Sequence, residues 1–243
     1  MKPKKTGEGR LLKDDLSNYS PKGYKDPSVT VDICICSIIE DDLKILLIKR
    51  KHPPFRDCWA IPGGFLEVPK KETLEETAAR ELREETSLKD IYIEQLKTYG
   101  DPGRDPRKRV ITVAHFALVP FEALQKQKIE ARDDAKEAKW FSLRKLPELA
   151  FDHKKILKDL LERITSKISY APIAFNLVPT RFTWAELQAV YEAILGLKLI
   201  APNFRRKINS MYVLDKIGTI TNVSKIGRPS AYLTFVRKRD FKE

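Results

Sequence analysis

An α/β protein, a sheet covered by helices and followed by a smaller basic unit, is what this 243-residue sequence predicts. Three observations point there. Short β-rich runs alternate with stretches of helical period through the first two-thirds of the chain. The texture then changes after Ile168, where "SYAPIAFNLVPTRF" carries two prolines and no acidic residue. Charge is uneven as well: from Arg181 onward there are 12 basic and 5 acidic residues, net +7, against 34 and 29, net +5, before it. The total of +12 makes an anionic partner worth seeking.

In chain order, residues 1–26 read as a flexible basic arm, with no apolar run long enough for a signal peptide or a membrane span. "SVTVDICICSII" and "LKILLIKRK" are strands joined by the acidic turn "EDD", and "IYIEQLKTYG", "RVITVAHFALVP" and "EAKWFSL" are further strand candidates. A helix interrupts them after Gly63-Gly64. A second runs through "DHKKILKDLLERI", where Ile156, Leu157, Leu160, Leu161 and Ile164 share a face. Residues 27–168 form the first domain on this reading and 169–243 the second, joined by a proline-marked connector. Apolar residues at 42% suffice for a core. Cys34, Cys36 and Cys58 make neither a metal set nor a disulfide framework, so a cytoplasmic location is expected, with no membrane role.

The helix after the glycine pair carries the chemistry. Thr73 and Glu76 have capping-box spacing, so the helix starts there and runs to about Thr86. Glu81, Glu84 and Glu85 then fall on one face, where like charges cost an isolated helix roughly 0.2–0.5 kcal/mol per pair. A divalent cation reverses that sign, and magnesium suits such a ledge because it takes oxygen ligands and shares itself with phosphates. Gly63 and Gly64 let the backbone come close enough to add a carbonyl. An ordinary solvated face with Arg80 and Arg83 interleaved has the same spacing.

The whole stretch, with Gly64, Glu72, Arg80, Glu81, Leu82, Glu84, Glu85 and Leu88, resembles the signature of the Nudix hydrolase superfamily. Two departures stand out: seven residues rather than five separate Gly64 from Glu72, and Ser87 replaces the closing glycine. A left-handed backbone at 87 would cost a serine roughly 1 kcal/mol. The resemblance implies an α/β/α sandwich on a mixed sheet. It also implies metal held by Glu81, Glu84, Glu85 and the Gly63 carbonyl, with Arg80 orienting the acids and Mg2+ or Mn2+ as cofactor. Cleavage of a nucleoside diphosphate is the activity it carries.

Downstream, "GDPGRDPRKRV" gathers Arg104, Arg107, Lys108 and Arg109 on a proline-stiffened loop. Arginine forks match phosphate, and a solvated basic turn has the same composition. "HPPFRDCWAIPGGF", "RDPRKRVITVAHFA", "DDAKEAKWF" and "AFDH" are similar to the Nudix-related transcriptional regulators that sense ADP-ribose and end in a winged helix. That similarity implies ADP-ribose, or a related nucleoside diphosphate, in a pocket with Arg50, Gly64, Arg104, Asp105 and Arg107, and a base supplied by Asp133 or Asp134. Trp59 and Phe55 are read as core aromatics, with adenine stacking the competing reading. His52, His115 and His153 lack ligand spacing, and Cys34 and Cys36 are read as small buried residues.

"TWAELQAVYEAILG" is a helix opened by a Thr183–Glu186 box and stopped at Gly196. In "PNFRRKINSMYVL", Phe204, Ile208 and Met211 turn inward and leave Arg205, Arg206 and Lys207 outside. "KIGRPSAYLTFVRKR" turns at Gly227-Arg228-Pro229 into a strand. Helix, basic helix and basic hairpin fit the plan of a winged helix, with Arg205, Arg206, Lys207 and Arg228 toward double-stranded DNA and a homodimer matching a palindromic operator, and a small basic domain that packs on the first or contacts RNA is the competing reading. The expectation is an ADP-ribose-responsive regulator of NAD metabolism whose Nudix domain hydrolyses its ligand. A plain pyrophosphatase with an accessory basic domain, or a sugar-responsive regulator with an inactive Nudix domain, stands beside it.

Overall fold

The computed structural model describes residues 26–125, 135–219 and 231–238. Residues 1–25 of the expected arm, Asp133, Asp134 and the expected turn at Gly227-Arg228-Pro229 lie outside the described residues. β1 (Ser28–Ile39) and β2 (Asp42–Arg50) form a hairpin closed by Glu40 and Asp41, both at positive φ (54° and 56°), the hand that matches strand twist. Then come β3 (Trp59–Ala60), β4 (Gly63–Phe65), helix α1 (Leu74–Thr86), β5 (Tyr92–Tyr99), β6 (Val110–Leu118), a short α2 (Phe121–Gln125), β7 (Ala135–Ser142) and α3 (His153–Lys167). The sheet runs β3-β2-β1-β6-β5, with β4 also on β1 and β7 also on β2. Only β1 and β6 pair in parallel among the described strands, so the sheet is mixed.

Period-two alternation in β1 supplies both faces of the sheet. Val31, Ile33 and Ile35 pack with Ala78 and Leu82 of α1, whereas Cys34 and Cys36 pack with Ile156, Leu157 and Leu160 of α3. The acidic helix and α3 therefore cover opposite faces, which is the expected α/β/α sandwich. Burying each such aliphatic side chain contributes about 1.5–3 kcal/mol.

Residues 169–182 depart from the expected connector. Pro172–Asn176 forms a 3-10 turn, and Ile173, Ala174, Leu177, Val178 and Phe182 are buried. Prolines signal a break in regular structure, but the apolar side chains between them decide where the segment goes: into the core. After it come α4 (Trp184–Leu195), α5 (Ala201–Met211) and the hairpin β8 (Tyr212–Thr219) with β9 (Ala231–Lys238). Phe182 exchanges backbone hydrogen bonds of 3.0 and 2.7 Å with Leu233, and Phe175 stacks on Phe235 with centroids 4.3 Å apart. One apolar cluster thus runs from Cys34 through α3 and this strap to Tyr191, Phe204 and Tyr212. Arg144, just past β7, ties the halves further: its Nη2 donates to the carbonyls of Ile194 (2.5 Å) and Ala193 (3.4 Å) in the last turn of α4.

Candidate functional site

Helix α1 begins as its sequence requires. Thr73 Oγ1 accepts from Glu76 N at 3.1 Å, and Glu76 Oε2 accepts from Thr73 N at 2.8 Å, so both halves of the capping box form. It ends at Ser87 with φ 58°, the left-handed state glycine normally supplies. The two extra residues before Glu72 are absorbed by a 3-10 turn over Val68–Lys70, and the register of the helix is kept. With Ala78 and Leu82 fixed on the sheet, Arg80, Glu81 and Glu84 line a cleft.

Arg80 is the hub of that cleft. Its Nε donates to Glu72 at 2.8 Å, its Nη1 to Glu81 at 2.6 Å and Glu84 at 3.5 Å, and its Nη2 to the Phe65 carbonyl at 3.3 Å. Burial pushes the Glu81 carboxyl up to about 7, against the pull of the Arg80 guanidinium. A Cβ at Gly64 would stand 2.1 Å from Glu81 Oε1, so a side chain there would push the Glu81 carboxyl out of this position. Glu85, next to Glu84 on the same helix, is buried. Among the described residues, no three acidic, histidine or cysteine side chains converge as a ready-made cation site. The donors are nonetheless carboxylate and carbonyl oxygens, the kind hard divalent ions take. Arg80 Nη1 stands against Glu81 and Glu84, where a divalent ion would compete with it.

Across the cleft, of about 560 Å³, lies the basic loop between β5 and β6. Arg104 is clamped by Asp152 through Nε (3.0 Å) and Nη2 (2.8 Å). Asp152 is the N-cap of α3, yet its side chain makes no cap bond, because the carboxylate is given to Arg104 instead. Arg107 pairs with the buried Asp105 through its own N (2.9 Å), Nε (3.0 Å) and Nη2 (2.7 Å). Arg50, Gly63, Gly64, Arg104, Asp105 and Arg107 all line this one cleft.

Other residues of the site carry no assignment from sequence, although Phe65 closes the quoted "HPPFRDCWAIPGGF" and Phe151 and Asp152 lie in "AFDH". Asp32 on β1, Asp152, Phe65 and Phe151 line or brace the cleft, brought there by pairing across the sheet and by the start of α3. Phe55 corrects the core reading: it is 41% exposed and meets Phe151 edge-on at 4.8 Å, while Arg50 Cζ lies 4.9 Å over the Phe151 ring. Trp59 does pack as core, against Phe141. His153 is buried, burial holds its imidazole below the usual range, and its Nδ1 accepts from Ile61 N at 2.9 Å. Cys34 and Cys36 are fully buried.

Comparison with known families decides what carries this geometry: residues 29–160 match the model described as the NUDIX domain. The chain belongs to the Nudix family.

In this Nudix protein the C-terminal elements follow a winged-helix plan. Helix α4 opens on a complete Thr183–Glu186 box and stops at Gly196, φ 70°. Helix α5 buries Phe204 and Ile208 and leaves Arg205, Arg206 and Lys207 exposed. Residues 174–235 match the NrtR DNA-binding winged helix domain. The Nudix chain is 36% identical over 224 residues, 90% of its length and 86% of the relative's, to the ADPR responsive transcriptional repressor NtrR of Acinetobacter baylyi. It is 47% identical over 151 residues, 62% of its length and 82% of the relative's, to the ADP-ribose pyrophosphatase of Methanocaldococcus jannaschii. Shewanella oneidensis NrtR, solved with a 27mer DNA, superposes with a TM-score of 0.74 at 34% identity, covering 86% of this chain and 93% of that one.

Proposed function

We propose that this Nudix protein is a DNA-binding transcriptional regulator of NAD metabolism whose cleft binds ADP-ribose and cleaves its diphosphate with a divalent metal, magnesium or manganese. One observation carries the reading: a single chain joins an arginine-walled, acid-floored cleft to an exposed basic helix through one continuous core. Arg104 and Arg107 are held at the cleft wall by Asp152 and Asp105, and a diphosphate would compete with those carboxylates for their planar forks. Arg80 holds Glu81 and Glu84 in place. Glu81, Glu84, Glu85 and the Gly63 carbonyl would hold the ion. When bound, it polarises a phosphoryl oxygen and lowers the pKa of the attacking water. Asp134 is the base in this reading.

Arg205, Arg206 and Lys207 would approach duplex DNA from α5, joined by Arg228, which falls in sequence between β8 and β9. Domain limits of 27–168 and 169–243 after an arm over 1–26, a homodimer and a cytoplasmic location complete the proposal. Among the described residues no helix is long and apolar enough to cross a membrane. Incubation with ADP-ribose and magnesium should release AMP and ribose 5-phosphate, and Glu85→Gln should abolish that release. Turnover persisting in the variant would show that the metal set is wrong. A plain pyrophosphatase is the second reading, favoured by the 47% identity of the Nudix part to such an enzyme. Salt titration of binding to random duplex and to the protein's own upstream DNA separates the two: no sequence preference at physiological salt sinks the regulator.

A further inference from the structure

Asp32 stands on β1 at the cleft wall, and none of the chemistry above uses it. The residue is only 8% exposed, and its Oδ2 is buried with no hydrogen-bond donor. Arg104 Nη2 comes no nearer than 3.6 Å, beyond hydrogen-bond reach, and its fork is already engaged by Asp152. Gly63 lets β4 lie close on β1 beside this carboxylate: a Cβ there would stand 2.4 Å from the Val31 carbonyl oxygen and 2.7 Å from Asp32 Oδ1. A buried acceptor without a donor is uncommon in a folded chain and destabilises it, so a cleft that maintains one points to a donor arriving with the ligand.

We propose that Asp32 is the residue that reads a vicinal diol on a ribose of the bound nucleotide. The inference rests on the ligand class proposed above and deepens it. Arg50, Arg80, Arg104 and Arg107 are donors and suit phosphate oxygens, whereas a carboxylate set against those oxygens would repel them. What a ribose offers is a pair of neighbouring hydroxyl donors, and the two oxygens of a carboxylate accept from such a pair. Asp32 therefore selects sugar over bare phosphate and contributes positioning, with no part in bond cleavage.

The test is calorimetry on the full chain in metal-free buffer, wild type against Asp32→Asn, with ADP-ribose, AMP, ribose 5-phosphate and inorganic pyrophosphate. The variant should bind ADP-ribose roughly tenfold to a hundredfold more weakly, the scale of a hydrogen bond to a charged group. One of the two half-ligands should weaken alike, which identifies the ribose that is read. Pyrophosphate should bind as well as before or better, because a negative charge has left the wall. Removing the hydroxyls from the affected half-ligand should cost the wild type the same factor and cost the variant nothing more. Unchanged ADP-ribose affinity, an equal loss for pyrophosphate, or additive losses in that cycle would each overturn the assignment. If Asp32→Asn does not fold, Asp32→Ser is put through the same series. Wild-type protein that takes up no ADP-ribose overturns the ligand reading itself, and this inference with it.

Discussion

Arg80 and Glu81 show how single residues set the state of the site. In the folded protein the Glu81 carboxyl lies at about 7, against an ordinary value of 4.5. Between those values the folded chain keeps a proton that the unfolded chain has released, so this residue's contribution to stability falls as pH rises across the window, by on the order of 3 kcal/mol. Metal-free wild type should therefore lose unfolding midpoint between pH 5 and pH 8 relative to Glu81→Gln; parallel curves would contradict the burial argument. Arg104 is the second case. Its guanidinium is nearly buried, with Asp152 at 2.8 Å and Asp32 at 3.6 Å. Arg104→Ala leaves two acids without their cation and should cost roughly 3–5 kcal/mol in a denaturant titration. Lys155→Ala, which breaks an exposed pair with Asp101, should leave the same titration unchanged within error. The glutamates and arginines were legible in sequence because type and spacing sit within one helix or one loop. Asp32 was not, because it reaches the cleft beside a partner 72 positions away, and Asp152, though inside the quoted "AFDH", shows its role only through Arg104, 48 positions away.

Secondary-structure elements were the most legible layer, and their ends are where it can be checked. Both Thr-x-x-Glu boxes form, and both helices close on a left-handed residue, Ser87 at φ 58° and Gly196 at φ 70°. The same backbone state with opposite residues predicts opposite effects. Ser87→Gly should stabilise by about 0.5–1 kcal/mol. Gly196→Ala should destabilise by at least about 1 kcal/mol, since the new Cβ would also stand 3.1 Å from the Arg144 guanidinium. Chemical denaturation of the two variants checks both signs, and a loss with Ser87→Gly would contradict the account of that cap. The strap over 169–182 was misread for a physical reason. Proline marks where regular hydrogen bonding stops, whereas burial is decided by the apolar residues around it, here Ile173, Leu177, Val178 and Phe182.

For the molecule as a whole, the charge gradient pointed to two tasks, while the route between them became visible only in the fold. Residues 143–153 run from Arg144, held on the last turn of α4, to Phe151, Asp152 and His153 at the cleft. A ligand that competes with Asp152 for Arg104 thus acts on a segment anchored to the winged helix, and occupancy shifts DNA affinity only through such differential contacts. The most direct test of the central claim is the affinity of the full-length protein for its own upstream duplex, measured at physiological salt with and without saturating ADP-ribose. Sequence-selective binding that weakens at least fivefold when ADP-ribose is added is the predicted result. An affinity that ADP-ribose leaves unchanged would contradict it.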